Sequence, residues 1–206
     1  MERTSTTRNI IQLNTNQYEF LRLMAFGSEQ DDLTAASEKA YGDLRRTIRF
    51  KNLDVEERRF LRTQIRNLIA GSLTLLESNR SLSQDDFDKW HRELCFSVLS
   101  EYRNAGIEFY VGQSQKWVNM ALKYLYTLRN PIVMMVFPLL HVPIDNYIYE
   151  AAEKHLNIPR LAVVWSRVED YSVYIQYQSQ IRNAVHVAPM EWEFSAWMQK
   201  AQEKKS

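Results

Sequence analysis

The sequence has few of the residues that interrupt helices or cross-link chains. Its 206 residues include five glycines, five prolines and one cysteine. The scarcity of glycine and proline leaves long uninterrupted segments, which favour helices. Cys95 is alone, so no disulfide can form within the chain, and this predicts a reducing compartment. A single cysteine also leaves no cluster that could hold an iron–sulfur centre.

The sequence also lacks a charge excess and a long apolar run. The formal net charge is +1, so no global positive field favours coating of DNA, although a local basic patch is still compatible with this charge. The longest apolar stretch, residues 131–140, is shorter than the roughly 20 residues of a membrane span. The first residues lack the apolar core of a secretory signal. We therefore expect a cytoplasmic protein that does not cross a membrane.

What is present predicts a mainly α-helical protein of about eight helices. Hydrophobic residues make up 45% of the chain, which is enough for a core. We expect one helical domain over residues 1–206, in which lobes at 1–104 and 105–206 pack together around a cleft. Apolar residues at three-to-four spacing place the helices. They are expected at 17–26, 33–50, 54–77, 83–104, 114–128, 145–156, 168–184 and 191–201. Residues 132–140 fit either a short buried strand or a packed loop.

Two lysines mark the predicted helix at 114–128. Lys116 and Lys123 are seven residues apart and share the side opposite the apolar stripe, so this side is expected to face solvent. Lys116 falls in the first turn of the predicted helix, where the positive end of the helix dipole disfavours an ammonium. That position favours a neutral amine, which is the nucleophilic form. A solvated lysine on an amphipathic helix is the simpler interpretation.

Asp145 begins the next predicted helix, 29 residues after Lys116. Aspartate is among the best helix-capping residues, so a purely structural role explains its position. A capping aspartate keeps one oxygen free, and that oxygen can face a cleft. The structural and the catalytic interpretations are therefore compatible.

The combination of Gln115, Lys116 and Trp117 with the later Pro143, Ile144 and Asp145 resembles the active-site segment of the helix-hairpin-helix DNA glycosylases. The pattern is most similar to that of the archaeal 8-oxoguanine glycosylase type, and it covers about residues 112–150. The resemblance implies a DNA glycosylase, with an associated lyase step, that excises a modified base from DNA without a cofactor. It also implies Lys116 as the nucleophile and Asp145 as the carboxylate that assists it.

Four residues near this pair are the expected substrate contacts. Gln115 has the donor and acceptor needed to read a base edge, and His141 could orient a base or a phosphate, although a structural hydrogen bond also accounts for it. Trp117 and Tyr147 could stack on a flipped base, and both are equally compatible with a core position. No metal is expected, because the four histidines are widely spaced and lack ligand spacing.

One departure from the resembled family keeps a second class of function open. Most members carry a Gly-Val-Gly hairpin before the lysine, whereas residues 109–114 contain only Gly112. The alternative is a non-enzymatic helical interaction protein or nucleic-acid-binding protein, for example of a bacterial defence system. Arginines between residues 45 and 66 could follow a phosphate backbone, but interspersed acidic residues also fit a salt-bridged surface.

Overall fold

The structure is a computed structural model that describes residues 13–28, 31–50, 53–78 and 81–203, and within these ranges all regular secondary structure is helical. The predicted mainly α-helical class is thereby confirmed. The described residues form nine α-helices. They are α1 (Thr15–Phe26), α2 (Asp32–Leu44), α3 (Val55–Glu77), α4 (Gln84–Asn104), α5 (Val111–Thr127), α6 (Pro131–Met135), α7 (Asn146–Leu156), α8 (Tyr171–Ala184) and α9 (Pro189–Glu203).

Side-chain caps fix several helix starts where the sequence predicts them. Asp54 accepts a hydrogen bond from the Glu57 amide at 2.9 Å and so begins α3. Ser83 and Asp86 form the predicted capping box of α4, in which each side chain bonds the backbone amide of the other. These bonds satisfy amide groups that have no partner within the helix.

Three predicted boundaries differ from the structure by three residues or more, and one segment has a structure that was not expected. Helix α8 begins at Tyr171, three residues after the expected start. The second helix ends at Leu44 and is followed by a 3₁₀ turn at Arg45–Thr47, rather than continuing to residue 50. Helix α5 begins at Val111, three residues before the expected start. Residues 132–140 are neither strand nor loop. They form most of α6 and a 3₁₀ turn at Phe137–Leu139, because Asn130 caps the helix and Pro131 occupies its first position.

Helix α5 lies at the centre of the molecule. Every residue from 111 to 123 is buried, including the six polar or charged ones, so this helix has no solvent face over its first three turns. Helices α2, α4 and α8 and the turn at Trp165–Arg167 pack around it. One hydrophobic core includes buried side chains from α2 to α9 and therefore joins residues before and after position 104.

Gly112 packs directly against the backbone of Trp165. A β-carbon placed there would lie 1.8 Å from the carbonyl oxygen of Trp165, which is far inside van der Waals contact. The Gly112 amide also donates to the carbonyl of Val168 at 3.0 Å. The first turn of α5 thus sits directly on the backbone of the segment before α8, and only glycine allows this approach.

Candidate functional site

Lys116 and Asp145 form an ion pair between α5 and the start of α7. The Lys116 Nζ lies 2.6 Å from Oδ2 of Asp145. The other carboxylate oxygen accepts a hydrogen bond from the Ile148 amide at 2.9 Å and caps α7. The predicted cap is confirmed, and the second oxygen faces the lysine. The amine and the carboxyl group proposed from the sequence therefore lie in one site.

The expected environment of Lys116 is wrong in two respects. The lysine is 5% exposed rather than solvated. It is also the sixth residue of α5, because the helix starts at Val111, so it lies beyond the first turn, where the helix dipole acts. The side of α5 that was expected to face water is covered by the start of α7 and by α9. The burial of Lys116 is compatible with the fold because the Asp145 carboxylate pairs with its amine.

A second ion pair lies beside the first. The Lys123 Nζ is 2.7 Å from Oε1 and 2.6 Å from Oε2 of Glu193 on α9, and both side chains are buried. Burial raises the pKa of Glu193, and Lys123 and Lys116 partly offset this effect, whereas Asp145 adds to it. Glu193 is therefore within electrostatic reach of the first pair. Lys116, Asp145, Lys123 and Glu193 form a four-charge cluster under α9, and the sequence pattern gave no indication that Glu193 belongs to it.

Two glutamines hold the irregular segment that carries Asp145. Gln115 accepts from the Ile144 amide at 3.1 Å and donates to the Ile144 carbonyl at 2.9 Å. Gln178 of α8 accepts from the Val142 amide at 3.1 Å and donates to the Val142 carbonyl at 2.7 Å. Each side-chain amide thus bonds both backbone groups of one residue, as a neighbouring β-strand would. Gln115 is fully buried in this role and does not present a base-reading edge to solvent.

His141 belongs to a buried chain of hydrogen bonds. Since Asp88 is a carboxylate, the His141 Nε2 donates to it at 2.7 Å, and the Nδ1 therefore accepts from the Tyr174 hydroxyl at 2.9 Å. The same hydroxyl accepts from the Asn119 Nδ2 at 2.8 Å, and the Asn119 oxygen accepts from His91 at 2.9 Å. Both ring nitrogens of His141 are occupied and its side chain is buried, so it serves the fold in this conformation.

Burial determines the charge states along this chain. It lowers the pKa of His91 well below its ordinary value, and it lowers that of His141 despite the attraction of Asp88. Burial alone would raise the pKa of Asp88, but bonds from His141 and Gln84 and the charge of Arg182 bring it to about 2. Asp88 is thus the charged end of a chain of neutral groups.

The two aromatic candidates lie in different environments. Trp117 is entirely buried, its indole nitrogen donates to the Ser37 carbonyl at 3.2 Å, and its ring packs on Tyr41, so it cannot contact a substrate in this conformation. Tyr147 is partly buried and lines a surface pocket of about 240 Å³ between α7 and α9. Its hydroxyl donates to the Ala196 carbonyl, and the Lys200 amine lies 4.7 Å from its ring centre. Of the predicted aromatic contacts, Tyr147 therefore has the more accessible position.

Three arginines from separate segments surround the start of α5. Arg103 donates to the Phe109 carbonyl at 3.2 Å. Arg167 pairs with Glu108 at 3.0 Å, and Arg49 is close enough to lower the pKa of the same carboxylate, although hydrogen bonds from Tyr110 and Arg167 lower it more. The arginine patch of Arg49, Arg103 and Arg167 therefore lies around residues 108–109, just before the first residue of α5.

The described residues contain no group of three or more histidine, cysteine, aspartate or glutamate side chains arranged to hold a metal ion. None of the described helices is both long and apolar enough to cross a membrane. Comparisons with known protein families, with curated proteins and with solved structures give no match to this chain.

Proposed function

We propose that the protein is a DNA glycosylase with an associated lyase step, that Lys116 and Asp145 are its catalytic residues and that its fold is of the helix-hairpin-helix glycosylase kind. The observation that supports this proposal is the 2.6 Å contact between an amine on α5 and a carboxylate at the start of α7. Nucleophilic amines work beside a group that accepts their proton, and this contact provides that geometry.

The reaction follows from the roles of the two groups. After its proton passes to Asp145, the Lys116 nitrogen forms a bond to the sugar C1′. The bond between C1′ and the base breaks, and its electron pair leaves with the base. The resulting covalent adduct opens to a Schiff base, which permits elimination of the 3′ phosphate. Asp145 passes the proton that it took from Lys116 to the departing base, and the carboxylate so restored stabilises the positive charge on the sugar.

Access to the amine requires a movement, because Lys116 is 5% exposed. The Asp145 side chain is 24% exposed and marks the side from which a sugar can approach. Tyr147 lines the pocket between α7 and α9, two residues after Asp145. A base extruded from the DNA stack would enter there and stack on this ring. Helix α9 borders both the pocket and the charge cluster, so its displacement would open the site.

The arginine patch provides a local surface for DNA. Removal of one positively charged side chain that contacts a phosphate reduces the slope of log K against log salt concentration by about one unit. Arg49→Gln with Arg103→Gln is expected to weaken DNA binding and reduce this slope. Arg160 is a matched control, because it is exposed and pairs with a carboxylate, as Arg167 does. It lies after the last residue of α7, and its partner is Glu153 within that helix. Its substitution by glutamine should leave the slope unchanged.

The deciding experiment is borohydride trapping of the protein on duplexes with an abasic site or a modified base. The wild-type protein should form a covalent adduct, and Lys116→Met should not. Lys123→Met is the matched control, since it removes the other buried lysine of the same helix. Adduct formation by Lys116→Met that equals the wild type would contradict the assignment, and its loss in Lys123→Met alone would move the nucleophile to Lys123.

A second candidate function, binding of another protein, is favoured by exposed apolar side chains. Helix α1 has no buried residue, and Phe20 and Met24 are 61% and 72% exposed. Trp197 and Met198 on α9 are also exposed. Such surfaces are typical of partner-binding sites. Absence of any adduct with a full panel of modified bases would favour this candidate over the enzyme.

A further inference from the structure

We infer that Gln115 and Gln178 are positioning residues that hold Asp145 against Lys116. The effect of this positioning on catalysis rests on the proposed function, whereas the hydrogen bonds that produce it do not. The segment 141–144 has no regular hydrogen-bonding partner, yet two of its residues have both backbone groups bonded. We call Gln115 and Gln178, with the two backbone residues that they bond, the glutamine clamp.

The two glutamines bond alternate residues of the segment. Val142 and Ile144 are two apart, so in an extended chain their backbone groups point to the same side. Gln115 on α5 and Gln178 on α8 both reach this segment, so it is fixed by two helices. Asn119 supports the clamp, because its Nδ2 lies 3.1 Å from the Gln115 Oε1 and 3.3 Å from the Val142 carbonyl.

The clamp acts directly on the ion pair. Gln115 precedes Lys116 on α5, and its bonded partner Ile144 precedes Asp145. The two bonds between Gln115 and Ile144 therefore set the register of the carboxylate against the amine. Without them, the segment keeps only the Asn119 bond to the Val142 carbonyl and the ion pair itself as hydrogen bonds to α5, and the position of Asp145 depends mainly on its cap on α7. Catalysis is sensitive to such displacement, since a shift of about 1 Å in a reacting group costs about 100-fold in rate.

Substitution by methionine tests the clamp, because it retains the size of glutamine and removes its polar atoms. Gln115→Met and Gln178→Met are compared with Gln113→Met. Gln113 is also buried on α5 and also bonds backbone, but its partners are the Thr47 carbonyl and the Tyr110 amide, neither of which belongs to the segment 141–144. All three changes remove buried hydrogen bonds, so a general loss of stability affects all three, and only the first two affect the clamp.

The first readout is amide hydrogen exchange of Val142 and Ile144, which does not depend on any activity. Exchange at Ile144 should rise about tenfold in Gln115→Met, and exchange at Val142 by a similar factor in Gln178→Met, as expected from the loss of one or two hydrogen bonds. Gln113→Met should leave both amides as in the wild type. If Gln178→Met does not fold, Gln115→Met tests the clamp by itself through exchange at Ile144.

The second readout is the single-turnover rate of adduct formation at saturating DNA, measured together with DNA affinity. The rate should fall about 100-fold in the two clamp variants while affinity stays constant. If the wild-type protein forms no adduct but exchange changes as expected, the proposed function fails and the clamp stands. If the wild type forms the adduct and both readouts in the clamp variants match Gln113→Met, the clamp is overturned.

Discussion

The Lys116 amine and the Asp145 carboxylate, 29 residues apart in sequence, are 2.6 Å apart in the structure. The contact is asymmetric in two ways. The lysine is almost fully buried whereas the aspartate is partly exposed, and the aspartate has a second bond as a helix cap whereas the lysine has only this partner in the described structure. The two halves of the pair should therefore respond differently to substitution.

Asp145→Asn should destabilise the protein more than Lys116→Met. Asparagine preserves the cap of α7, but it removes the carboxylate in direct contact with a buried ammonium and leaves only the more distant Glu193. We expect a loss of about 2–3 kcal/mol in the free energy of unfolding, somewhat below the value for a fully buried pair. Lys116→Met leaves only a partly exposed carboxylate and should cost less than about 1 kcal/mol. Urea unfolding of the two variants measures the difference, and equal losses would contradict this asymmetry.

Glu193→Gln should cost about 3–5 kcal/mol in the free energy of unfolding, because both members of its pair with Lys123 are buried. A double variant, Lys123→Met with Glu193→Leu, replaces the pair by apolar groups and should recover most of this loss. The measurement is urea unfolding of the wild-type protein and of these two variants. A double variant no more stable than Glu193→Gln would contradict this explanation, because removal of the unpaired lysine would then recover no stability.

Gly112→Ala should be strongly destabilising, by more than about 3 kcal/mol, because its methyl group would occupy the position of the Trp165 carbonyl and force the backbone apart. Gly71 provides the control. It lies within α3, and a β-carbon there would meet nothing within 4 Å, so Gly71→Ala should stabilise the protein by up to about 1 kcal/mol. Thermal unfolding compares the two. A tolerated Gly112→Ala would show that α5 and the segment before α8 are not in this close contact.

The protein should lose stability as the pH falls below about 6.5, the ordinary pKa of histidine. His91 and His141 have lowered pKa values in the fold, so the unfolded chain takes up protons that the folded protein does not. Each histidine then contributes a slope of up to about 1.4 kcal/mol per pH unit. Their contribution is complete above this pH and is lost on acidification. Urea unfolding between pH 7.5 and 5 should show this slope.

The variant His91→Gln removes one of the two groups and keeps a side chain that can bond Asn119. Its free energy of unfolding should therefore depend less steeply on pH over the same range. An identical slope in the variant and the wild type would mean that His91 is not the group that responds. The Asp88 carboxyl has a pKa of about 2 in the fold, below its ordinary value of 3.8. Its contribution to stability is lost only as the pH falls below about 3.8, so it does not affect the slope between pH 7.5 and 5.

The helices could be predicted from the sequence largely because their caps are local. Asp54, Ser83 and Asp145 each bond an amide three residues onward, so residue type and spacing are sufficient to place them. Helix α6 is absent from the predicted helices although Asn130 and Pro131 are a helix-start signal, because the same pair is also typical of the end of a preceding helix. The early start of α5 follows Tyr110, which is not a usual capping residue.

The environment of the site could not be predicted in the same way. The seven-residue spacing of Lys116 and Lys123 predicts that they share one side of α5, and in the structure they do. A polar side is exposed, however, only if no polar group from another helix covers it. Here the covering groups come from α7 and α9, and the carboxylates are 29 and 70 residues away. The role of Gln115 also could not be predicted, because it bonds the backbone of Ile144, and any residue at position 144 would offer the same carbonyl group. Such contacts are properties of the tertiary arrangement.

The enclosed position of α5 has a consequence for synthesis of the chain. Both lysines of this helix emerge from the ribosome before either counter-charge exists, since Asp145 and Glu193 are translated later. A nascent chain that ends before α7 would have to leave two ammonium groups in water or bury them unpaired. The central helix can therefore reach its final surroundings only when the last helix is available, and assembly of the interior is a late event.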